Sequence, residues 1–347
     1  MNLDLLKGYY VDSSGKNGFY NRKELKENDL DPDPFFCHNQ HYARGAFEGI
    51  RAIWDNKKEQ LYFLTPKEHV NRLVKSCDFL RLKGIDFSKT LDVLPELIHR
   101  NIESGFLDPR KGCYLRPLVY KDKKYNSDKE QEHGLGVYSQ KHQTVMTISL
   151  FPWGKYLEGN PDIRVYEKGI ASVLRTHKCT ANYGFGGLAK DIALDEGYDE
   201  ALITDISKER NVLEGGGENV FIARDNKVIT PGVDQDILPG TKRNILIQML
   251  NNLGIEVEER KIPLKEFMEA DAAIFTGTAA GVVGIASVYN PLVGGKPEEF
   301  NLEHCVGGII TVRELEREYE RLIMGENVNP VQLGLQERIR TPIKWRM

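Results

Sequence analysis

The chain has 347 residues, enough for two domains of about 100–200 residues each and for a sizeable buried core. Apolar residues make up 40% and charged residues 28%, a soluble balance with no disorder signature. The 47 Lys and Arg nearly cancel the 51 Asp and Glu, and a net charge of −4 argues against a nucleic-acid or membrane-surface partner. The 5 cysteines are odd in number, irregularly spaced and free of any Cys-x-x-Cys. That excludes a disulfide framework or a zinc site and fits a reducing, cytoplasmic setting. Met1-Asn2-Leu3-Asp4 carries no basic stretch before an apolar run, so no secretory signal is expected there.

In chain order, Leu61-Tyr62-Phe63-Leu64 reads as a buried strand. Thr65-Pro66-Lys67-Glu68 then reads as a helix start, with Thr65 at the N-cap and Pro66 in the first helical position. Val70, Leu73, Val74 and Cys77 share one face of that helix. A second helix is expected from about Leu91 to Ser104, with Gly105 after its end. Lys121 to His133 is charged and poor in large apolar residues and reads as an exposed loop. Val145 to Leu150 is the next strand. Phe151-Pro152-Trp153-Gly154-Lys155-Tyr156 then breaks regularity, which places a domain boundary at 151–158, between 1–150 and 159–347.

Beyond that boundary, Ile170 to Leu174 reads as a strand, and Tyr183 to Glu196 as a helix. Phe185, Leu188, Ala189, Ile192 and Ala193 form that helix's apolar stripe, and Gly197 closes it. Ala201–Thr204 is a strand, and Val220–Ala223 with Lys227–Thr230 is a hairpin around Asp225-Asn226. Thr241 to Leu253 reads as a helix with Gly254 past its end, and Ile255–Val257 and Ala272–Phe275 as strands. Ala272 to Gly295 has no charged residue and the length of a membrane span. Its Gly277, Gly281 and Gly284 favour short buried strands and a glycine-rich loop instead.

Several fragments are suited to chemistry, each weak alone. Leu238-Pro239-Gly240-Thr241-Lys242-Arg243 opens a helix, where backbone N–H groups suit a phosphate. Gly277-Thr278-Ala279-Ala280-Gly281 is a second candidate anion-binding turn. Glu214-Gly215-Gly216-Gly217-Glu218-Asn219 lets a backbone pass close to a ligand, though no Gly-x-x-x-x-Gly-Lys-[Ser/Thr] nucleotide loop is present. Arg72 is either an exposed helical arginine or a fixed partner for phosphate. Lys178 is one lysine among many, and most lysines only solvate a surface. To attack a carbonyl it would have to be neutral, which burial and nearby positive charge promote.

Taken together, the fragments resemble the class IV, fold-type IV aminotransferases, and specifically the branched-chain amino acid aminotransferases, from about His38 to Gly325. The resemblance is carried by the run from His41 to Arg51 (His-Tyr-Ala-Arg-Gly-Ala-Phe-Glu-Gly-Ile-Arg), by Tyr114-Leu115-Arg116-Pro117, and by Phe151-Pro152-Trp153-Gly154. Lys178 ahead of Asn182-Tyr183, Gly197-Tyr198, the Glu214–Asn219 run, Leu238-Pro239-Gly240 and Gly277-Thr278-Ala279-Ala280 follow in order.

That resemblance implies an α/β (α+β) fold with a smaller N-terminal α/β domain and a larger C-terminal cofactor-binding domain. It implies pyridoxal 5'-phosphate as cofactor, amino acids and 2-keto acids as substrates, and a homodimer or higher homo-oligomer. Lys178 would hold the cofactor covalently and shuttle the proton. Tyr183 would bond the cofactor's phenolic oxygen and Glu214 its pyridine nitrogen, with Asn219 beside it. Arg72, Thr241, Lys242, Gly277 and Thr278 would hold the phosphate. Tyr42, Phe47, Gly49, Arg51, Tyr114, Arg116, Val137, Trp153, Tyr156, Thr278 and Ala279 would line the substrate pocket, with Tyr42 and Val137 from the partner chain. The chain departs from the family pattern at Thr241-Lys242, at Gly281 and in a longer loop before Val137. D-amino acid aminotransferases and aminodeoxychorismate lyases share the fold and stay open as alternatives.

Overall fold

The computed structural model describes residues 5–28, 30, 37–124, 137, 142–153, 157, 159–166, 168–170 and 173–344. The chain folds as two compact units. The first comprises Met1–Trp153, His177–Ala181 and Arg340–Met347, and the second Gly154–Thr176 and Asn182–Ile339. Two segments therefore leave the simple N-terminal and C-terminal halves: the stretch around Lys178 and the chain end both belong to the first unit.

The first unit is built on a sheet of β1 (Gly8–Asp12), β2 (Asn17–Tyr20), β3 (Gly45–Phe47), β4 (Ile50–Asp55), β5 (Gln60–Leu64), β6 (Cys113–Lys124) and β7 (His142–Phe151). Its order is β2-β1-β7-β6-β4-β5, then the C-terminal strand Arg340–Pro342, with β3 paired to β6. The β6–β7 ladder runs antiparallel from Tyr114 opposite Phe151 to Lys121 opposite Thr144. Arg340 closes the far edge by pairing with buried Asp55 at 2.7 Å.

Helix α1 (Arg22–Glu27) carries a capping box between Asn21 and Glu24, and α2 (His38–Tyr42) leads into β3. Helix α3 (Pro66–Phe79) starts where the sequence predicts, but Thr65 sits at φ 50 and its side chain makes no cap bond. Thr65 thus departs from the extended backbone that a following proline favours, and the chain turns through the left-handed region there. Helix α4 (Thr90–Glu103) ends at Ser104, before Gly105 at φ 75.

The expected loop from Lys121 is corrected at its start. Lys121 and Asp122 lie in β6 and are buried, with Lys121 Nζ donating to the His142 carbonyl and to Thr144 Oγ1, each at 2.9 Å. Burial, then the Arg44 charge, lowers the Lys121 pKa. Strand pairing and these two acceptors outweigh the polar composition. Residues 125–133 of that loop lie outside the described residues, as do 154–156 and 158 of the expected linker.

The second unit holds a sheet of β8 (Asp162–Val165), β9 (Glu200–Thr204), β10 (Val212–Gly215), β11 (Asn219–Arg224), β12 (Lys227–Thr230), β13 (Val257–Glu259), β14 (Ala272–Gly277), β15 (Gly281–Gly284), β16 (Ser287–Tyr289) and β17 (Glu298–Glu299). The order is β13-β12-β11-β10-β9-β8-β16-β17, with β14 bridging β11 and β15. Val220, Phe221, Ile222 and Ala223 are all buried, so β11 reads as a continuous apolar run and not an alternation. Asp225 and Asn226, at φ 50 and 60, make the tight turn to β12. The uncharged stretch from Ala272 folds as β14, β15 and β16. Among the described residues no helix is long and apolar enough to cross a membrane.

Three expectations need correction here. Val173–Thr176 is a 3-10 turn, not the end of a strand; Ile170 still donates to the Thr204 carbonyl at 2.8 Å, and 171–172 lie outside the described residues. The helix expected from Tyr183 is α5 (Thr180–Asp195), and its stripe is split. Ala189 and Ala193 are buried, whereas Phe185 and Leu188 are 57% and 49% exposed. The alanines pack on Tyr166 and Ala201, a contact that small side chains favour. The strand expected at Ile255–Val257 begins only at Val257, where parallel pairing with β12 starts. The second unit also holds helices α6 (Thr241–Asn252), α7 (Leu264–Met268), α8 (Val312–Met324) and α9 (Leu333–Ile339), and a separate strand pair of Cys305–Val306 with Ile310–Thr311. Helix α8 has a capping box between Thr311 and Glu314 and buries Leu315, Tyr319, Leu322 and Ile323 on one face.

Candidate functional site

In the first unit, β3 and β4 carry Phe47, Glu48, Gly49 and Arg51 past β6, which carries Tyr114 and Arg116. Gly49 is required: a Cβ there would lie 1.7 Å from the Tyr114 hydroxyl oxygen. Tyr114 stacks on Trp153 at 4.8 Å and accepts a hydrogen bond from Arg116 Nη2 at 3.1 Å. The Arg116 guanidinium lies 4.7 Å from the Phe47 ring centre, and Arg51 pairs with Tyr114 across the β4–β6 ladder. Burial, ahead of the opposing Arg116 charge, raises the Tyr114 pKa. The buried Arg116 Nε and Trp153 Nε1 have no protein partner among the described residues. Donors so placed suit a small polar ligand.

Lys178 belongs to this cluster. Its N–H donates to Ser76 Oγ at 3.0 Å, and its carbonyl accepts from the Phe47 N–H at 3.0 Å. Cys179 bridges to Ala46, and His177 stacks on Phe79 at 4.0 Å. The main chain on either side of Lys178 is therefore pinned, and its Nζ lies 4.9 Å from the Phe47 ring centre. Ser76 Oγ in turn donates to the Arg72 carbonyl one helical turn back at 3.0 Å. Arg72 is not the exposed arginine its helix position allows. It is buried and grips Glu48 through Nε at 2.6 Å and Nη2 at 2.9 Å.

In the second unit, β10 presents Glu214 beside the three-glycine turn. Arg175 Nη2 donates to Glu214 Oε1 at 2.5 Å, and the Leu238 N–H and Asn219 Nδ2 reach Oε2 at 3.1 and 3.4 Å. Asn219 Nδ2 also donates to the Leu238 carbonyl at 2.9 Å, which ties the glutamate to the loop ahead of α6. Gly240, the N-cap of α6, supplies no side-chain cap, and a Cβ on it would lie 1.9 Å from Asn219 Oδ1. Thr241 and Lys242 are buried in that first turn.

The Tyr183 ring approaches Gly217, and Gly277 lies against Gly217 and Glu218. Gly216 meets α5 rather than open space: its carbonyl lies 2.3 Å from where a Cβ on Gly186 would be. Thr278 and Ala279 form the turn from Gly277 to Gly281. Gly281 sits at φ 80, a left-handed conformation that glycine adopts without steric cost.

Behind this turn lie buried carboxylates. Glu200 pairs with Lys190 at 2.8 Å, and Glu218 accepts the Gly217 N–H at 3.0 Å. Burial first, then the Glu200 charge, pushes the Glu218 pKa up to about 8. Stability from its protonated form is fully present below the ordinary value of 4.5 and is lost as pH rises through about 8. Glu218→Gln is therefore expected to gain melting temperature relative to the parent between about pH 5 and about pH 9. Thermal melts at the two ends check this, and a constant difference would contradict it.

The two units thus gather most of the sequence candidates into two clusters. Tyr42 instead packs on His38 at 4.8 Å, Val137 is 73% exposed, and Tyr156 lies outside the described residues. Glu48, His69, Ser76 and Arg175 are additions. The spacing of His69, Arg72 and Ser76 on one helix face was visible in the sequence, but nothing in it pointed Arg175 at Glu214. Within the second unit, the glycine N-cap at α6 and the Glu214 carboxylate held in a fixed direction suit a phosphorylated ligand with a basic ring nitrogen; within the first, the main chain at Lys178 is pinned on both sides.

Comparison with known proteins agrees. The family model for amino-transferase class IV matches residues 45–288. A "Probable branched-chain-amino-acid aminotransferase" from Aquifex aeolicus (strain VF5) is 34% identical over 263 residues, 73% of this chain and 78% of that protein. The fold matches the branched-chain aminotransferase of Thermoproteus uzoniensis solved with norvaline, at TM-score 0.77 and 24% identity, over 98% of this chain and 99% of that one. It also matches that of Thermobaculum terrenum in its PLP-form, at TM-score 0.78 and 22% identity, over 99% and 100%. The fold is fold-type IV, and the chain belongs to the class IV aminotransferases.

Proposed function

We propose that the chain transfers the amino group of branched-chain L-amino acids (leucine, isoleucine, valine) to 2-oxoglutarate, giving branched 2-keto acids and L-glutamate, with pyridoxal 5'-phosphate as cofactor. The observation that carries this reading is the setting of Lys178, pinned at its N–H and carbonyl with its Nζ over the Phe47 ring. The names of the relatives support the substrate class, and the PLP-form neighbour supports the cofactor.

The cofactor, when bound, supplies an electron sink. Lys178 Nζ would hold it and, when free, would take and return the substrate α-proton as a general base. Glu214 favours a protonated pyridine nitrogen, since an opposite charge beside it stabilises that form. Tyr183 bonds the phenolic oxygen. Arg72, the α6 N-terminus at Thr241 and Lys242, and the Gly277–Thr278 turn hold the phosphate. Phe47, Tyr114 and Trp153 receive an aliphatic side chain, with Gly49, Arg51 and Ala279 lining the same pocket. Arg116 receives the second carboxylate of glutamate directly or through water. Tyr42, Val137 and Tyr156 complete the pocket in this reading, Tyr42 and Val137 from the partner of a cytoplasmic homodimer.

A panel of L-leucine, L-isoleucine, L-valine and D-alanine against 2-oxoglutarate tests the function. Activity confined to D-alanine would overturn it. Arg116→Ala is expected to cost L-glutamate about tenfold more in kcat/KM than L-leucine, the scale of one lost charge-assisted hydrogen bond. Equal losses would remove the acidic-substrate role of Arg116.

A further inference from the structure

Glu48 lies between two residues that face the Lys178 cluster, yet its own side chain turns into the protein and is wholly buried. His69 and Arg72 are three apart on α3 and therefore share a face. Both meet the Glu48 carboxylate. Arg72 Nε donates to Oε1 at 2.6 Å and Nη2 to Oε2 at 2.9 Å, while His69 Nδ1 lies 2.7 Å from Oε2 and the Gly49 N–H 3.2 Å from it. The Glu48 N–H donates to the Pro117 carbonyl at 2.9 Å, so the carboxylate is fixed from its main chain outward. Burial raises the Glu48 pKa, but Arg72 and His69 outweigh it and hold the carboxyl well below the usual range.

A buried ion pair stabilises a fold little compared with apolar residues of the same volume. A two-point grip on a guanidinium does something apolar packing cannot: it fixes the plane of a long, flexible side chain. We propose that Glu48, backed by His69, is a positioning residue for the cofactor phosphate, holding the Nε–Nη2 edge of Arg72 so that the guanidinium meets the phosphate in one orientation. Glu48 acts here through Arg72, whose place at the phosphate belongs to the function proposed above.

Charge alone makes the opposite prediction. A carboxylate near a phosphate repels it, so Glu48→Gln would tighten phosphate binding if Glu48 only adjusted charge. If Glu48 positions Arg72, its loss weakens binding. The experiment measures the affinity of the cofactor-free enzyme for pyridoxal 5'-phosphate and for pyridoxal. Both probes react with the same lysine, so their ratio isolates the phosphate.

Glu48→Gln, and Glu48→Asp with its charge kept but its arm shortened, are both expected to lower that ratio by about tenfold or more. Pyridoxal affinity should stay near the parent's. Arg72→Gln should lower the ratio at least as far. If Arg72→Gln lowers it while both Glu48 variants leave it unchanged or raise it, the positioning role is wrong. If Arg72→Gln leaves it unchanged, Arg72 is not at the phosphate and the role falls with that assignment. Should the Glu48 variants not fold, Arg72→Lys keeps the charge but cannot take the two-point grip of Glu48; a reduced ratio then supports the role and an unchanged ratio overturns it.

Discussion

Lys178→Ala is expected to lower amino transfer by about 10⁴-fold or more while leaving the fold intact, because it removes both the group that binds the cofactor and the general base. The structure separates these two consequences. Three anchors of this stretch are main chain or a neighbour: the Lys178 N–H to Ser76 Oγ, its carbonyl to the Phe47 N–H, and the Cys179–Ala46 bridge. An alanine keeps all three. The side chain itself contributes packing over Phe47, which costs little to lose at a partly exposed position. Circular dichroism and a melting curve close to the parent's should therefore accompany near-complete loss of turnover. Partial recovery with added methylamine would further identify the missing group as an amine. Turnover retained within a factor of about ten would fit neither role of Lys178.

Glu214→Gln is expected to lower kcat by roughly 10-fold to 10³-fold, the range set by the 1–3 unit shift that an adjacent opposite charge gives a titrating group. It carries a stability cost of a different origin. Arg175 is buried and pairs with Glu214 at 2.5 Å. Without the carboxylate it is left as an uncompensated charge, a cost of about 3–5 kcal/mol for a fully buried pair and less at this partly open site. Pairing Glu214→Gln with Arg175→Met removes that stranded charge. The double variant should regain melting temperature but not turnover. If turnover returned along with stability, Glu214 would be a structural partner of Arg175 and not the group facing the pyridine nitrogen.

Much of the fold was legible because local chemistry and tertiary packing agree. Pro66 opened α3, Asp225-Asn226 made the turn their positive φ values suit, and the uncharged run from Ala272 became paired strands. The failures have physical causes. Lys121 and Asp122 looked like loop residues, but β6 buries them and supplies acceptors for the lysine. The α5 stripe looked like one face, but its buried contact is made by Ala189 and Ala193 and leaves Phe185 and Leu188 outside. Helix α8 went unread although Thr311 and Glu314 announce its start.

For the proposed site, the motif strings pointed to Lys178, Glu214 and the glycine turns. They missed what holds those residues. Glu48 meets His69 and Arg72 on another element, Ser76 meets Lys178 across 102 residues, and Arg175 meets Glu214 across 39. Such pairings are set by β-strand register and helix placement, which a single sequence does not display.

Borohydride reduction of the enzyme loaded with pyridoxal 5'-phosphate, followed by peptide mapping, tests the central claim most directly. A yellow protein that loses its colour on reduction and carries one pyridoxyl group, on Lys178, is the predicted result. A pyridoxyl group on another lysine, or none, would contradict it.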